Sequence, residues 1–277
     1  MAATVAHFPR PSPPPSRPPS RLPRRSFSTL AERTEARETA LSVNAYMRKI
    51  YLNSMLSFGG TLFAAEVLSS SALFLSGGSF FLGVGASLAG VIGFSLHRPE
   101  RQRATDAAGR ELLVAVDSAT RKLWYGLFLG GGALTLAPLF AMANALSTTL
   151  VPYSIVLTAA SFLGMSAYAM SRPLGSFNAW GSALSGALVS LLALQLLAGG
   201  SYLLAGPNAG SQLAFSVQPY LGLGLFSALQ IYDTQAALQE YEQGSIDVLG
   251  HSMNFVLNLK NIFTSLLQIL MRLRGGD

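Results

Sequence analysis

Gln230-Ile-Tyr-Asp233-Thr-Gln235, followed by an acidic connection and then His251-Ser-Met-Asn254-Phe-Val-Leu-Asn258-Leu-Lys260-Asn261-Ile-Phe263, decides how the chain is read. Asp233 closes one apolar segment. The next carries His251, Asn254, Asn258, Asn261, Ser265 and Gln268 at successive steps of three and four. On a helix that spacing sets all six on one face and leaves Phe255, Val256, Leu259, Ile262, Phe263, Leu266 and Ile269 on the others. A polar seam along an oily helix, facing a lone carboxylate, predicts a buried polar cavity lined by Asp233, Asn254, Asn258 and Asn261. His251, Ser265 and Gln268 form its second tier.

Working outward, the composition states the setting. Half of the 277 residues are hydrophobic and only 12% are charged, which suits a polytopic bundle of membrane helices better than a water-soluble domain. The fold class expected is therefore all-α. Cysteine is absent, which excludes disulfides, thiol catalysis and thiolate metal sites. The formal charge of +6 sits mainly in the N-terminal tail and one loop, where it reports membrane orientation; nothing in it reads as a nucleic-acid partner. Enzyme chemistry finds no support. An intramembrane aspartyl protease needs a second carboxylate opposite Asp233, and a serine such as Ser87 or Ser185 beside His251 is what helix packing produces anyway. His7, His97 and His251 lack metal-site spacing, and no phosphate loop with its lysine is present. No cofactor is expected.

Residues 1–45 read as a disordered, basic Pro/Ser/Arg-rich tail or targeting segment, and 46–274 as the membrane domain. Arg10, Arg17, Arg21, Arg24, Arg25 and Arg33 with few acids are transit-peptide chemistry, and Arg24-Arg25-Ser26-Phe27-Ser28-Thr29 resembles a mitochondrial processing site. Seven apolar segments follow, at about 52–74, 79–97, 123–145, 149–170, 178–199, 211–232 and 251–271, each near the length that crosses a bilayer core. The connections 75–78, 146–148 and 200–210 hold no charge, whereas 98–122, the Arg172 turn and 233–250 hold nearly all of it. Seven spans put these two sets on opposite sides, with the basic set cytosolic or in the matrix. Arg272 and Arg274 alone fall on the wrong side. Glycines inside the spans predict close helix packing, and Pro138, Pro152 and Pro219 predict kinks or helix ends.

Ionisable residues inside spans are few: Glu66, Lys260 and, at the end of the sixth segment, Asp233. Each costs roughly 2.5–3.5 kcal/mol near the bilayer centre and so calls for a partner or a wet cavity. Lys260 lies about 200° round the helix from Asn258 and so off the seam. Snorkelling and a pair with Glu66 both fit it.

Tyr232-Asp233-Thr234-Gln235, Asp247 in the acidic loop, the run from Asn258 to Asn261-Ile262-Phe263, Ser166-Ala-Tyr-Ala169 before a basic turn, and the Tyr46–Tyr51 entry together resemble the Bax inhibitor-1, or transmembrane Bax-inhibitor-motif, family. The resemblance covers about 46–271. The transit-like tail, Leu136-Ala-Pro-Leu139 and Asn261-Ile-Phe are similar to its mitochondrial branch, that of growth-hormone-inducible transmembrane protein. It implies a seven-helix bundle around a central seventh helix, a pH-sensitive calcium leak or calcium/proton exchange, and suppression of cell death. Of the family's two responsive aspartates the first falls on Asp233 and the second on Asn258, so one carboxylate is missing here. The expectation is an organellar cation pathway with a weak calcium site at Asp233, most simply in the mitochondrial inner membrane, with the endoplasmic reticulum or another organelle, a plastid included, as the alternative address. The rival is a non-conducting scaffold acting on cell death or cristae through protein partners in the bilayer.

Overall fold

The computed structural model describes residues 42–75, 77–106, 109–206 and 208–275. The targeting segment and its processing site lie, but for the first residues of the entry helix, outside them. Among the described residues seven α-helices run in order: α1 Val43–Ser69, α2 Gly77–Leu96, α3 Ala119–Leu146, α4 Leu150–Met170, α5 Trp180–Ala205, α6 Ala209–Glu242 and α7 Val248–Gly275. Four hold windows long and apolar enough to cross a membrane: Gly78–Leu96, Ala119–Leu146, Leu150–Met170 and Trp180–Ser201. The chain is thus a helical integral membrane protein. Helices α1, α6 and α7 carry too many polar residues to pass on hydropathy, and those residues point inward: Ser54 and Thr61 on α1, Gln230, Thr234 and Gln235 on α6, and Ser252 and Asn258 on α7 are all buried.

Helix α7 is the axis of the bundle, packing on α1, α3, α4 and α6. Phe255, Leu259, Phe263 and Leu267 are fully buried along it, and the Phe255 ring meets Tyr51 and Phe162 at centroid distances of 5.4 and 5.6 Å. Helices α2 and α3 pack closest. A Cβ on Gly90 would stand 2.5 Å from the backbone nitrogen of Phe128, so only glycine lets the two backbones approach this far.

Two expectations are corrected. First, the bundle is all-α as expected, but one of its connections is not a loop. The stretch expected as the loop 98–122 folds into a hairpin, β1 Glu100–Thr105 antiparallel to β2 Glu111–Val116, and β3 Ser245–Ile246 adds in parallel to β2. Gly109, at φ +81°, makes the turn, and Asp106 closes it by accepting from the Arg110 backbone and side chain at 2.8 Å each. Leu112, Val114 and Ile246 bury the sheet's inner face on Tyr46 and Tyr241. The sheet ties both charged connections to one end of the bundle, as the charge distribution predicts. Second, α6 runs to Glu242, so Asp233 sits well inside a helix and does not end one.

Arg272 does lie at the end of the bundle opposite the charged connections, as expected, and its guanidinium is used there in packing. Pro219, inside α6, has no N–H to donate to the Phe215 carbonyl four residues earlier. The Arg272 guanidinium donates to that carbonyl and to that of Ser216, both at 2.6 Å. Its charge serves a packing contact between α6 and α7.

Candidate functional site

Helices α6 and α7 bring Asp233 and Asn258 face to face. The Asn258 amide donates to the Asp233 carboxylate at 2.7 Å and to the Gln230 side-chain oxygen at 3.3 Å. Gln230 in turn donates to Ser166 on α4 at 3.0 Å and to Thr234 at 3.2 Å. Gln230, Thr234, Ser166 and Asn258 are all within 2% of complete burial. The buried Tyr51 hydroxyl from α1 stands beside Ser166 and Thr234 in the same group. In a dry interior every such group needs a partner, and a chain of amides and hydroxyls around one carboxylate supplies them. The arrangement offers a cation or proton one carboxylate and several neutral oxygens.

Gln230, Thr234 and Ser166 were absent from the residues expected to line the site, although the signal was present. Gln230, Asp233 and Thr234 stand at i, i+3 and i+4, the spacing that stacks side chains on one helix face. Ser166 comes from another helix and has no such signature.

The rest of the expected lining is dispersed. Asn254 is exposed, Asn261 is half-buried and donates back to the Leu257 carbonyl at 2.8 Å, Ser265 is buried against Gly222, and Gln268 is half-buried. The six seam residues do share a face, but that face passes several neighbours in turn, so only Asn258 meets Asp233. Glu66 is exposed and accepts from Asn144 at 3.2 and 3.3 Å. No ion pair links it to Lys260 among the described residues; the Lys260 ammonium stands 5.7 Å from the Phe128 ring centre, beside Gly132.

His251 belongs to a second polar group at the charged end. Its Nε2 lies 2.7 Å from a Glu240 carboxylate oxygen, and that hydrogen bond above all holds the Glu240 carboxyl down at about 2. Beside it the buried guanidinium of Arg121 pairs with Asp117 and with Asp247, the latter at 2.6 and 3.1 Å. Burial pushes the Asp117 carboxyl up, against the pull of Arg121. A cavity of about 300 Å³ opens here, lined by Phe94, His97, Arg98, Arg121, Met253 and Asn254 among others, and Asp233 does not line it.

A helical membrane bundle with a buried carboxylate–amide pair between its last two helices is the class of protein this geometry defines. The family model described as inhibitor of apoptosis-promoting Bax1 matches residues 43–275, and the chain belongs to that family, the Bax inhibitor-1 family. Comparison with curated proteins finds no match.

Proposed function

We propose that this protein is a cation pathway of the Bax-inhibitor type, passing calcium or protons through the seam between α6 and α7, and that it serves calcium homeostasis and the restraint of cell death. The observation that carries this reading is the 2.7 Å contact between the Asn258 amide and Asp233 within a buried polar cluster. Calcium prefers several oxygen ligands including carboxylates, so one carboxylate with the oxygens of Asn258 and Gln230 makes a weak site suited to passage. All seven helices cross the bilayer in this reading. Helices α1, α6 and α7, of 27, 34 and 28 residues, have the length, and their polar residues face one another. The basic, acid-poor tail supports the mitochondrial inner membrane as the address.

Calcium and proton flux in liposomes containing the purified protein tests the reading. Asp233→Ala abolishes flux. Asn258→Asp restores a pair of carboxylates that cannot both ionise freely, so its flux depends more steeply on pH and its calcium binding strengthens. Parental flux in Asp233→Ala rules out the pathway. The scaffold reading draws on one observation, the exposed apolar face of α5 at Val189, Leu192, Leu196 and Leu197. Lipid covers such a face equally well, so the flux measurement decides between them.

A further inference from the structure

The cavity at the charged end is a cleft between the end of α2 and the start of α7, floored by α3. Val91 and Phe94 line it from α2, and Met253 and Leu257 from α7. Both sets pack on Tyr125 and Phe128 of α3. The upper rim is polar: His97 and Arg98 follow directly on the apolar window that ends at Leu96, with Asn254 exposed across from them. The cleft is therefore apolar in its depth and cationic at the level where a span meets the headgroups.

Its charges are unequally committed. Asp247 is held by Arg121 and by the Gly250 backbone N–H at 2.8 Å, and Glu240 by His251 and by the Ser245 hydroxyl at 2.7 Å. Arg101 lies 4.0 Å from Glu240 as well. The Arg121 guanidinium is spent on two carboxylates and rests 4.1 Å over the Phe94 ring. Arg98 is exposed and, among the described residues, makes no hydrogen bond or ion pair. His97 places Nδ1 2.7 Å from the Gly93 carbonyl, so Nε2 is the ring nitrogen left for a ligand or a proton. The one full charge the cleft has to offer is positive.

We infer that this cleft holds an anionic phospholipid from the leaflet on the charged side, its phosphate against Arg98 and His97 and its first acyl carbons against Val91, Phe94, Met253 and Leu257. Basic pockets between membrane helices on the positively charged side are suited to acidic headgroups by depth as well as by charge. A volume of about 300 Å³ is at the lower end of small-ligand pockets, roughly 300–1,000 Å³, enough for a headgroup with the start of a chain. The site is separate from the Asp233 seam and stands whether or not that seam conducts.

The test is native mass spectrometry of the full chain released from bilayers of phosphatidylcholine doped with phosphatidic acid. The parent retains phosphatidic acid in preference to phosphatidylcholine. Arg98→Ala lowers that retention about fivefold, the effect of one basic side chain near an anionic surface, and Arg98→Glu lowers it further. Ser95→Phe, which projects a ring from an exposed lining position into the cleft, lowers retention of both lipids. Arg103→Ala makes the same change of charge outside the cleft and leaves retention unaltered. Retention unchanged in Arg98→Glu, or lost equally in Arg103→Ala, overturns the site. Displacement of the lipid by an equal concentration of inorganic phosphate would show that the site reads free phosphate and overturns the lipid assignment.

Discussion

Helices α5 and α7 are nearly the same length, 26 and 28 residues, and the fold uses them in opposite ways. In α5 only 11% of the most apolar window is buried, and the helix leans on α6 alone among its main contacts. In α7 twelve of the 28 residues are buried, against four helices, although its sequence is more polar. In a bilayer this inversion has a simple cause. Lipid is as apolar as leucine, so an oily surface gains little by turning inward, whereas a polar side chain gains much by finding a partner there. High hydropathy therefore goes with lipid exposure in α5, and the polar seam marks α7 as the helix at the centre.

Four changes sharpen or break that contrast. The largest effect belongs to Arg121→Met, which strands Asp117 just before α3 and Asp247 just before α7. Leaving one side of a buried ion pair uncompensated costs roughly 3–5 kcal/mol, read as loss of thermal stability in detergent. A melting temperature within a degree of the parent would mean that the rim does not anchor α7. Phe255→Ala, at a fully buried α7 position in contact with Tyr51 and Phe162, removes packing worth about 3 kcal/mol. Its counterpart Leu196→Ala, on an α5 side chain 66% exposed, shifts stability by less than about 0.5 kcal/mol. Equal losses from these two would erase the distinction between core and lipid-facing helices.

The third change is in pH. Glu240 is held at about 2 in the folded protein against an ordinary 4.5, first by its hydrogen bond to His251. A carboxyl depressed by folding stabilises the fold above its unfolded pKa and loses that contribution as pH falls through the folded one. The junction of α6 and α7 should therefore weaken between about pH 4.5 and about pH 2. Melting curves over that range should fall more steeply for the parent than for Glu240→Gln, and parallel curves would remove Glu240 from the account. Smallest is Lys260→Met. It exchanges an ammonium near the Phe128 ring for an apolar chain of similar length, and it loses a cation–π contact worth at most about 2 kcal/mol while relieving the cost of a charge in the span. Stability should stay within about 1 kcal/mol of the parent, measured by the same melting assay.

The contrast also explains which parts of the site could be read along the chain. That the seam faces Asp233 was legible because a lone carboxylate and a periodic amide seam each need a polar neighbour, and the two helices are consecutive; the choice of Asn258 from that seam is what the family resemblance implied. The hairpin was overlooked because its basic residues match an orientation signal. The alternation in Glu111-Leu-Leu-Val-Ala-Val116, with Leu112 and Val114 buried, and the glycine turn at Gly109 were its visible marks. The assignment of Asn254 and Asn261 to the lining failed because a helix face is a property of one helix, whereas a cavity also depends on what stands opposite.

By itself the sequence determined a membrane bundle, the approximate bounds of its helices, the end at which its charge collects, and a polar seam on the last helix. Those follow from local quantities: transfer cost, helical period and the distribution of arginine. Only the tertiary structure decided that Gln230, Thr234 and Ser166 complete the polar cluster, that Arg121 gathers two carboxylates, and that Arg272 serves the carbonyls beside Pro219. Each of these joins residues far apart in the chain. Which buried donor meets which acceptor depends on the positions of whole helices, and no periodicity along a single strand of sequence carries that information.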